Sequence, residues 1–286
     1  MTKKMRSVFS VLLAAVLLAC LCAVPAGAAA RPLYVVLGDS IAYGSGLSNP
    51  TEAVYGRIVA DTNRYAYENY AVPGHTTANL LRRLENDTVS AAVGRADIIS
   101  ISIGGNNFLL GDLNGILYDG IVKEDFARLD EITATFYEDL GTIVSTVRAL
   151  NPDAAILLQT LYNPQTGYIG DVYQQGADRL NAAIRSFAAA NPGEVLVVEV
   201  AHALTDSGRD FAEDRIHPSA AGNEKIARAV LRTLCDNGLG SETEPVINAP
   251  GRDARGAGMF TTFVNLYGRF FHVLAVIRNI LRGLVR

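Results

Sequence analysis

Cysteine is scarce in this chain of 286 residues, with three in all: Cys20, Cys22 and Cys235. Two of them fall in an N-terminal segment that reads as removable. The remaining chain then has no pair from which to build an internal disulfide and relies on its apolar core. Cys235 stands alone on the apolar side of a late helical pattern, without metal-ligand spacing, and reads as a small core residue. Charge is also thin: 19% of residues are charged and the net charge is −4. That balance gives the body no affinity for polyanions, so no nucleic-acid partner is expected. Histidine occurs four times, at His75, His202, His217 and His272, which leaves few candidates for a base that works near neutral pH.

What is plentiful is apolar: 49% of the residues are hydrophobic, ample for a sizeable core and far from a disordered composition. A chain of this length fits one domain with appendages. Lys3, Lys4 and Arg6 precede an uncharged stretch over residues 8–30 that ends in small residues around Ala26, Gly27 and Ala28. This is the layout of an export signal, cleaved near residues 29–31. A retained anchor is the rival reading, because the stretch approaches the roughly 20 apolar residues of a spanning helix. Leu17-Leu18-Ala19-Cys20 also resembles a bacterial lipobox. Residues 1–30 are therefore assigned as signal or anchor, and an exported protein, secreted or at the cell surface, is expected.

Beyond it, short apolar runs alternate with helical patterns. The runs at 33–37, 67–72, 98–103, 154–158 and 195–200 are rich in Val and Ile without strict polar alternation, as in strands covered on both faces. Between them, one helix starts at Thr76 or Thr77 and carries Leu80, Leu81 and Leu84, and others are expected over 126–150, 172–190 and 219–235. Asn151-Pro152 and Asn191-Pro192 mark two of the ends. The rhythm implies an α/β/α sandwich around a parallel five-stranded sheet. Residues 238–258, rich in Gly, Pro, Glu and Asn, read as a linker between a domain over 31–237 and a tail.

In such sheets ligands gather where strands lead into helices, and the residues with chemistry fall there. Ser40 follows the first strand at Gly38-Asp39-Ser40, where a helix N-terminus offers free N–H groups. A serine hydroxyl needs a base and a site for the charge that develops on the substrate oxygen. His217, three residues after Asp214, can have one ring nitrogen held by that carboxylate while the other takes the serine proton. Gly74 presents a backbone N–H without a side chain in the way, and the Asn106 amide is a neutral donor. Each segment alone has an ordinary structural reading: a turn, a loop glycine, a capping Asn, a structural Asp-x-x-His. His75 and His202 read as a helix-start and a loop residue. Tyr43 and the stretch 106–110 are candidates for the wall of an acyl pocket.

In chain order, Val36-Leu37-Gly38-Asp39-Ser40-Ile41, Asn69-Tyr70-Ala71-Val72-Pro73-Gly74, Ile103-Gly104-Gly105-Asn106-Asn107 and Asp214-Arg215-Ile216-His217-Pro218 resemble the four blocks of the SGNH hydrolases, also called GDSL esterases and lipases. The resemblance runs from about residue 33 to 235. It implies a flavodoxin-like fold and a serine esterase or lipase acting through an acyl-serine, with Ser40 as nucleophile, His217 as base and Asp214 as its orienting carboxylate. The Ser40 and Gly74 N–H groups and the Asn106 side chain would form the oxyanion hole, with no cofactor and no metal. One departure is Asn107, where the family usually has Asp; it is expected to alter a supporting hydrogen bond. Acyl lipids, lysophospholipids and acetylated carbohydrates all suit this machinery. A non-catalytic exported binding module on the same fold, and more remotely a flavoprotein on the same topology, are the alternatives.

The tail over 259–286 carries Phe260, Phe263, Tyr267, Phe270, Leu274, Ile277, Leu281 and Leu284 at helical spacing, with Arg269, Arg278, Arg282 and Arg286 off that stripe and no acidic residue after Asp253. Such a basic amphipathic helix lies on an anionic membrane surface or docks its stripe on protein. Charges interrupt it too often for a spanning helix.

Overall fold

A computed structural model describes residues 31–206, 208–255 and 258–284. The segment read as an export signal, with Cys20 and Cys22, lies outside the described residues. The five apolar runs form β1 (Leu33–Gly38), β2 (Ala66–Asn69), β3 (Ile98–Ser102), β4 (Ala155–Gln159) and β5 (Leu196–Val198). All neighbours pair in parallel, in the order β2-β1-β3-β4-β5. This is the α/β/α sandwich expected from the sequence. Successive strand residues point to opposite faces, and both faces are covered. Val35, Leu37, Ile99, Ile101, Ile156 and Leu158 enter one core, while Tyr34, Val36, Leu157 and Val198 enter the other.

The described helices are α1 (Ser40–Tyr43), α2 (Pro50–Ala53), α3 (Tyr55–Asn63), α4 (Thr77–Leu84), α5 (Asp87–Gly94), α6 (Gly105–Leu109), α7 (Leu113–Tyr118), α8 (Ala127–Leu150), α9 (Gly167–Ala190), α10 (Ala220–Asp236) and α11 (Gly258–Leu284), with a π-helical turn at Asp119–Lys123 after α7. Helices α4, α5, α8 and α9 pack on the first face; α3 and α10 pack on the second. Local chemistry sets their ends. Thr76 and Asn79 form a reciprocal capping box at the start of α4, and Ser219 accepts from the Gly222 N–H to start α10, satisfying amides that lack intrahelical partners. Helix α8 stops at Asn151, just before Pro152.

Residues 238–255 are irregular yet pinned to the body. Ser241 N–H donates to Asn63 Oδ1 (3.1 Å), Val246 N–H to Thr62 Oγ1 (2.9 Å) and Arg252 N–H to Asn49 Oδ1 (2.9 Å). The Asp253 carboxylate accepts from Ala220 N–H at 2.7 Å.

Helix α11 corrects the expected stripe. Its docked face carries Phe271 and Ala275, both buried, with Tyr267 and Leu274 beside them. Phe270, Ile277, Leu281 and Leu284 of the stripe are exposed, together with Leu266, Val273 and Ile280. Arg278 turns inward, donating to the Val122 carbonyl and the Glu124 carboxylate, both at 2.7 Å. The helix is apolar over most of its circumference, so spacing alone did not choose the buried side. Among the described residues no helix is long and apolar enough to cross a membrane.

Candidate active site

Strand β1 ends at Gly38, which pairs with Ser102 at the end of β3. Chain connections leave these two strands in opposite directions, and a crevice opens between them. Asp39 is extended, and its carboxylate accepts the Ile41 N–H at 3.0 Å, so Ser40 becomes the first residue of α1. Among the described residues the Ser40 N–H has no acceptor, as befits a helix N-terminus. Gly44 and Ser45 N–H groups return to the Ser40 carbonyl, each at 3.0 Å. Gly46 follows, and a Cβ there would lie 2.2 Å from the Pro218 carbonyl oxygen and 3.1 Å from His217 Cβ. That close approach seats the histidine segment against the turn that carries Ser40.

Asp214 reaches forward within its own loop. Its Oδ2 lies 2.5 Å from His217 Nδ1, and its Oδ1 accepts from the Ile216 and His217 N–H groups at 3.0 Å each. Burial pushes this carboxyl up, but the histidine ring and the two amides outweigh it and hold the group below the ordinary carboxylate range. An ionised Asp214 fixes the proton on Nδ1 and leaves Nε2 with its lone pair. Tyr162 clamps the same loop, donating to the Ile216 carbonyl at 2.8 Å.

Gly74 sits after β2 with φ of +81°, a backbone state that L side chains rarely adopt. Its N–H also lacks an acceptor among the described residues. Asn106, in the first turn of α6, donates one amide hydrogen to the His75 carbonyl at 3.0 Å; the second has no acceptor among the described residues. Asn107 does not enter the cavity. Its Oδ1 accepts from Thr77 N–H (3.2 Å) and its Nδ2 donates to Thr77 Oγ1 (2.8 Å). Thr77 in turn donates to the Asp139 carboxylate on α8. This chain ties the loop of Asn106 to the start of α4, beside Gly74.

Ser40, Gly74, Asn106, Asp214 and His217 all line one cavity of about 400 Å³. Neither Ser40 Oγ nor His217 Nε2 carries a hydrogen bond among the described residues. Asn106, Leu109 and Leu110 border the cavity, but Tyr43 does not. At the end of the short α1 its ring is exposed, which removes it from the expected pocket wall. His75 contributes its carbonyl, and His202 lines a separate groove beside Lys225 and Arg228.

The sequence reading passed over the second role of Asp39, which also lines the cavity. Burial drives its carboxyl from 3.8 up to about 7, against the pull of the Ile41 amide and His217. Asp-Ser at a helix start reads as a cap, and nothing in that pattern reveals that the cap is buried. Tyr162 and Tyr173 also line the cavity and, distant in sequence from the motif segments, gave no local signal.

The family model for the GDSL-like Lipase/Acylhydrolase family matches residues 36–225. The uncharacterized protein YpmR of Bacillus subtilis (strain 168) is 27% identical over 217 residues, covering 72% of this chain and 82% of its own. The lipase Lip_vut3 from a goat rumen metagenome shares the fold with a TM-score of 0.58 at 20% identity, over 71% of this chain and 97% of its own. Axe2, an acetylxylan esterase from Geobacillus stearothermophilus, has a TM-score of 0.53 at 21% identity, over 75% and 97%. With the match spanning most of the sandwich and all four motif segments, the chain belongs to the GDSL-like lipase/acylhydrolase family.

Proposed function

We propose that this protein hydrolyses carboxylic esters through an acyl-serine intermediate. The observation that carries the reading is the convergence of an uncommitted hydroxyl, an uncommitted imidazole nitrogen backed by Asp214, and three uncommitted N–H donors on one cavity. Ser40 Oγ attacks the acyl carbon and gives its proton to His217 Nε2, while the carbonyl oxygen becomes an oxyanion. The Ser40 and Gly74 N–H groups and Asn106 Nδ2 stabilise that oxygen. His217 passes the proton to the leaving alcohol, and water, activated by the same nitrogen, releases the carboxylic acid and restores Ser40. A binding module would have no need to keep these donors unpaired.

The test is labelling by a fluorophosphonate probe and mapping of the modified residue. Modification at Ser40, lost in Ser40→Ala together with turnover of p-nitrophenyl esters, is the expected result. Turnover that survives Ser40→Ala would overturn the assignment.

The N-terminal segment supports export, which fractionation of the expressing cell would check. The exposed face of α11, where Leu266, Phe270, Val273, Ile277, Ile280 and Leu284 stand in a row near Arg269, supports contact with an anionic membrane surface.

A further inference from the structure

The cavity around Ser40 adjoins a second, narrower recess. Leu109, Tyr173 and Ile216 line both. Ile216 lies between Asp214 and His217 in the chain, so the recess begins beside the reacting groups. From there it passes between α6, α7 and α9, bounded by Leu113, Ile116, Leu117, Ile169, Val172 and Tyr267. Asn114 and Gln165 are the amides at its border, and no charged side chain lines it. Its inner wall is firm, with Phe108 packed edge-on against Tyr173 at a centroid distance of 4.9 Å.

Tyr267 comes from α11, beyond the stretch of chain that the family shares. The helix is held over the recess by buried Phe271 and Ala275, by the stack of His272 on Tyr168 at 4.6 Å, and by Arg278 on the Val122 carbonyl. Gly268 rests against Ile169, itself a lining residue.

We propose that this recess is the acyl-chain subsite, and that the substrates are esters of medium or long unbranched acyl chains roofed by α11. The inference rests on the acyl-serine chemistry above and names its substrate class. An acetyl group would end at Ser40 and leave the recess unused. Sugar hydroxyls would enter it without partners, which burial penalises. Methylenes gain by leaving water, and an uncharged recess that shares Leu109, Tyr173 and Ile216 with the cavity of the nucleophile suits a chain threaded from its carbonyl.

The experiment compares p-nitrophenyl acetate, butyrate, octanoate and decanoate on the full chain. Over the chain lengths that reach the recess, kcat/KM rises by up to about fourfold per methylene. Leu113→Trp, at the half-exposed start of α7, lowers the decanoate-to-acetate ratio by about tenfold or more. Ile169→Trp blocks from the opposite wall and does the same, should Leu113→Trp fail to fold. A flat chain-length profile, or an unaltered ratio in both variants, would overturn the subsite. An arm independent of turnover is titration of Ser40→Ala with decanoate: saturable binding, weakened by Leu113→Trp, supports the subsite, and no binding overturns it. A protein that takes up decanoate but cleaves no ester would sink the hydrolase reading and leave the recess standing; cleavage with a flat profile would do the reverse.

Discussion

A single carboxylate holds His217 twice: Asp214 Oδ2 meets the ring at Nδ1, 2.5 Å away, and Oδ1 accepts the backbone N–H of the same residue at 3.0 Å. Ring orientation and loop conformation therefore depend on one group. Asp214→Asn keeps the volume but presents the wrong partner to Nδ1, favouring the tautomer with its proton on Nε2. The expected result is a fall in kcat of roughly 10²–10⁴, with KM for a short ester little changed. Steady-state kinetics check it, and a loss confined to KM would contradict the assignment. Because the folded carboxyl is held below 3.8, its stabilising contribution is present above that pH and is lost as pH falls through the folded value.

Asn106 has two duties, one amide hydrogen on the His75 carbonyl and one toward the cavity. Asn106→Ala should lower kcat by roughly 10²–10³ through loss of one oxyanion donor. Ground-state binding depends little on this donor, so KM stays within about threefold. A loss of thermal stability in Asn106→Ala with turnover unchanged would assign Asn106 to structure instead.

Asn107 is the one departure from the motif blocks that these segments resemble, and its surroundings explain why an amide fits. Its Nδ2 donates to Thr77 Oγ1, whose own proton goes to Asp139. A carboxylate at 107 has no donor for that oxygen and brings a second negative charge toward Asp139. Asn107→Asp should therefore destabilise the fold by roughly 1–3 kcal/mol, read by urea denaturation. Asn107→Asp with Asp139→Asn should recover much of it.

The sheet was legible because strands buried on both faces appear as apolar runs whatever packs on them, and β1, β3 and β4 fall within a residue or two of expectation. The four motif segments were legible because each combines a strand end with a turn residue. Helices α3 and α5 were not. Each is short, nine and eight residues, so the apolar spacing repeats over too few turns to stand out from the loops around it. Helix α9 starts at Gly167, five residues before 172, the expected start, because packing of Ile169 and Val172 overrides the low helix propensity of Gly167 and Gly170. The recess was hidden for another reason: Leu113, Ile169 and Tyr267 share no local pattern, and only the fold brings them together.

Asp39 makes stability depend on pH in the opposite sense from Asp214. Between 3.8 and about 7 the folded state keeps a proton on this carboxyl that the unfolded chain releases. Fewer protons bound on unfolding means stability falls as pH rises across that window, by something on the order of a few kcal/mol. Asn caps a helix as well as Asp does, so Asp39→Asn should remove the slope and raise stability at pH above about 7 while changing it little near pH 4. Thermal melts at several pH values give the answer, and parallel slopes for the two proteins would place the carboxyl in contact with water.

Removing α11 outright would uncover Phe271, Ala275 and the recess, so truncation cannot separate membrane contact from folding. Point changes on the outer face can. Phe270 and Ile277 are 59% and 47% exposed, so a charge there leaves the docked face intact. If the helix lies on anionic lipid, Phe270→Glu and Ile277→Glu should each weaken co-sedimentation with phosphatidylglycerol vesicles by roughly tenfold, through lost apolar insertion and added repulsion. Raised salt should weaken the parent protein too, since arginine attraction is screened, while phosphatidylcholine vesicles should bind less at any salt. Identical binding by parent and variants would exclude this face as the membrane contact, and a shift from dimer to monomer in the variants would instead identify a second copy of the chain as what covers it.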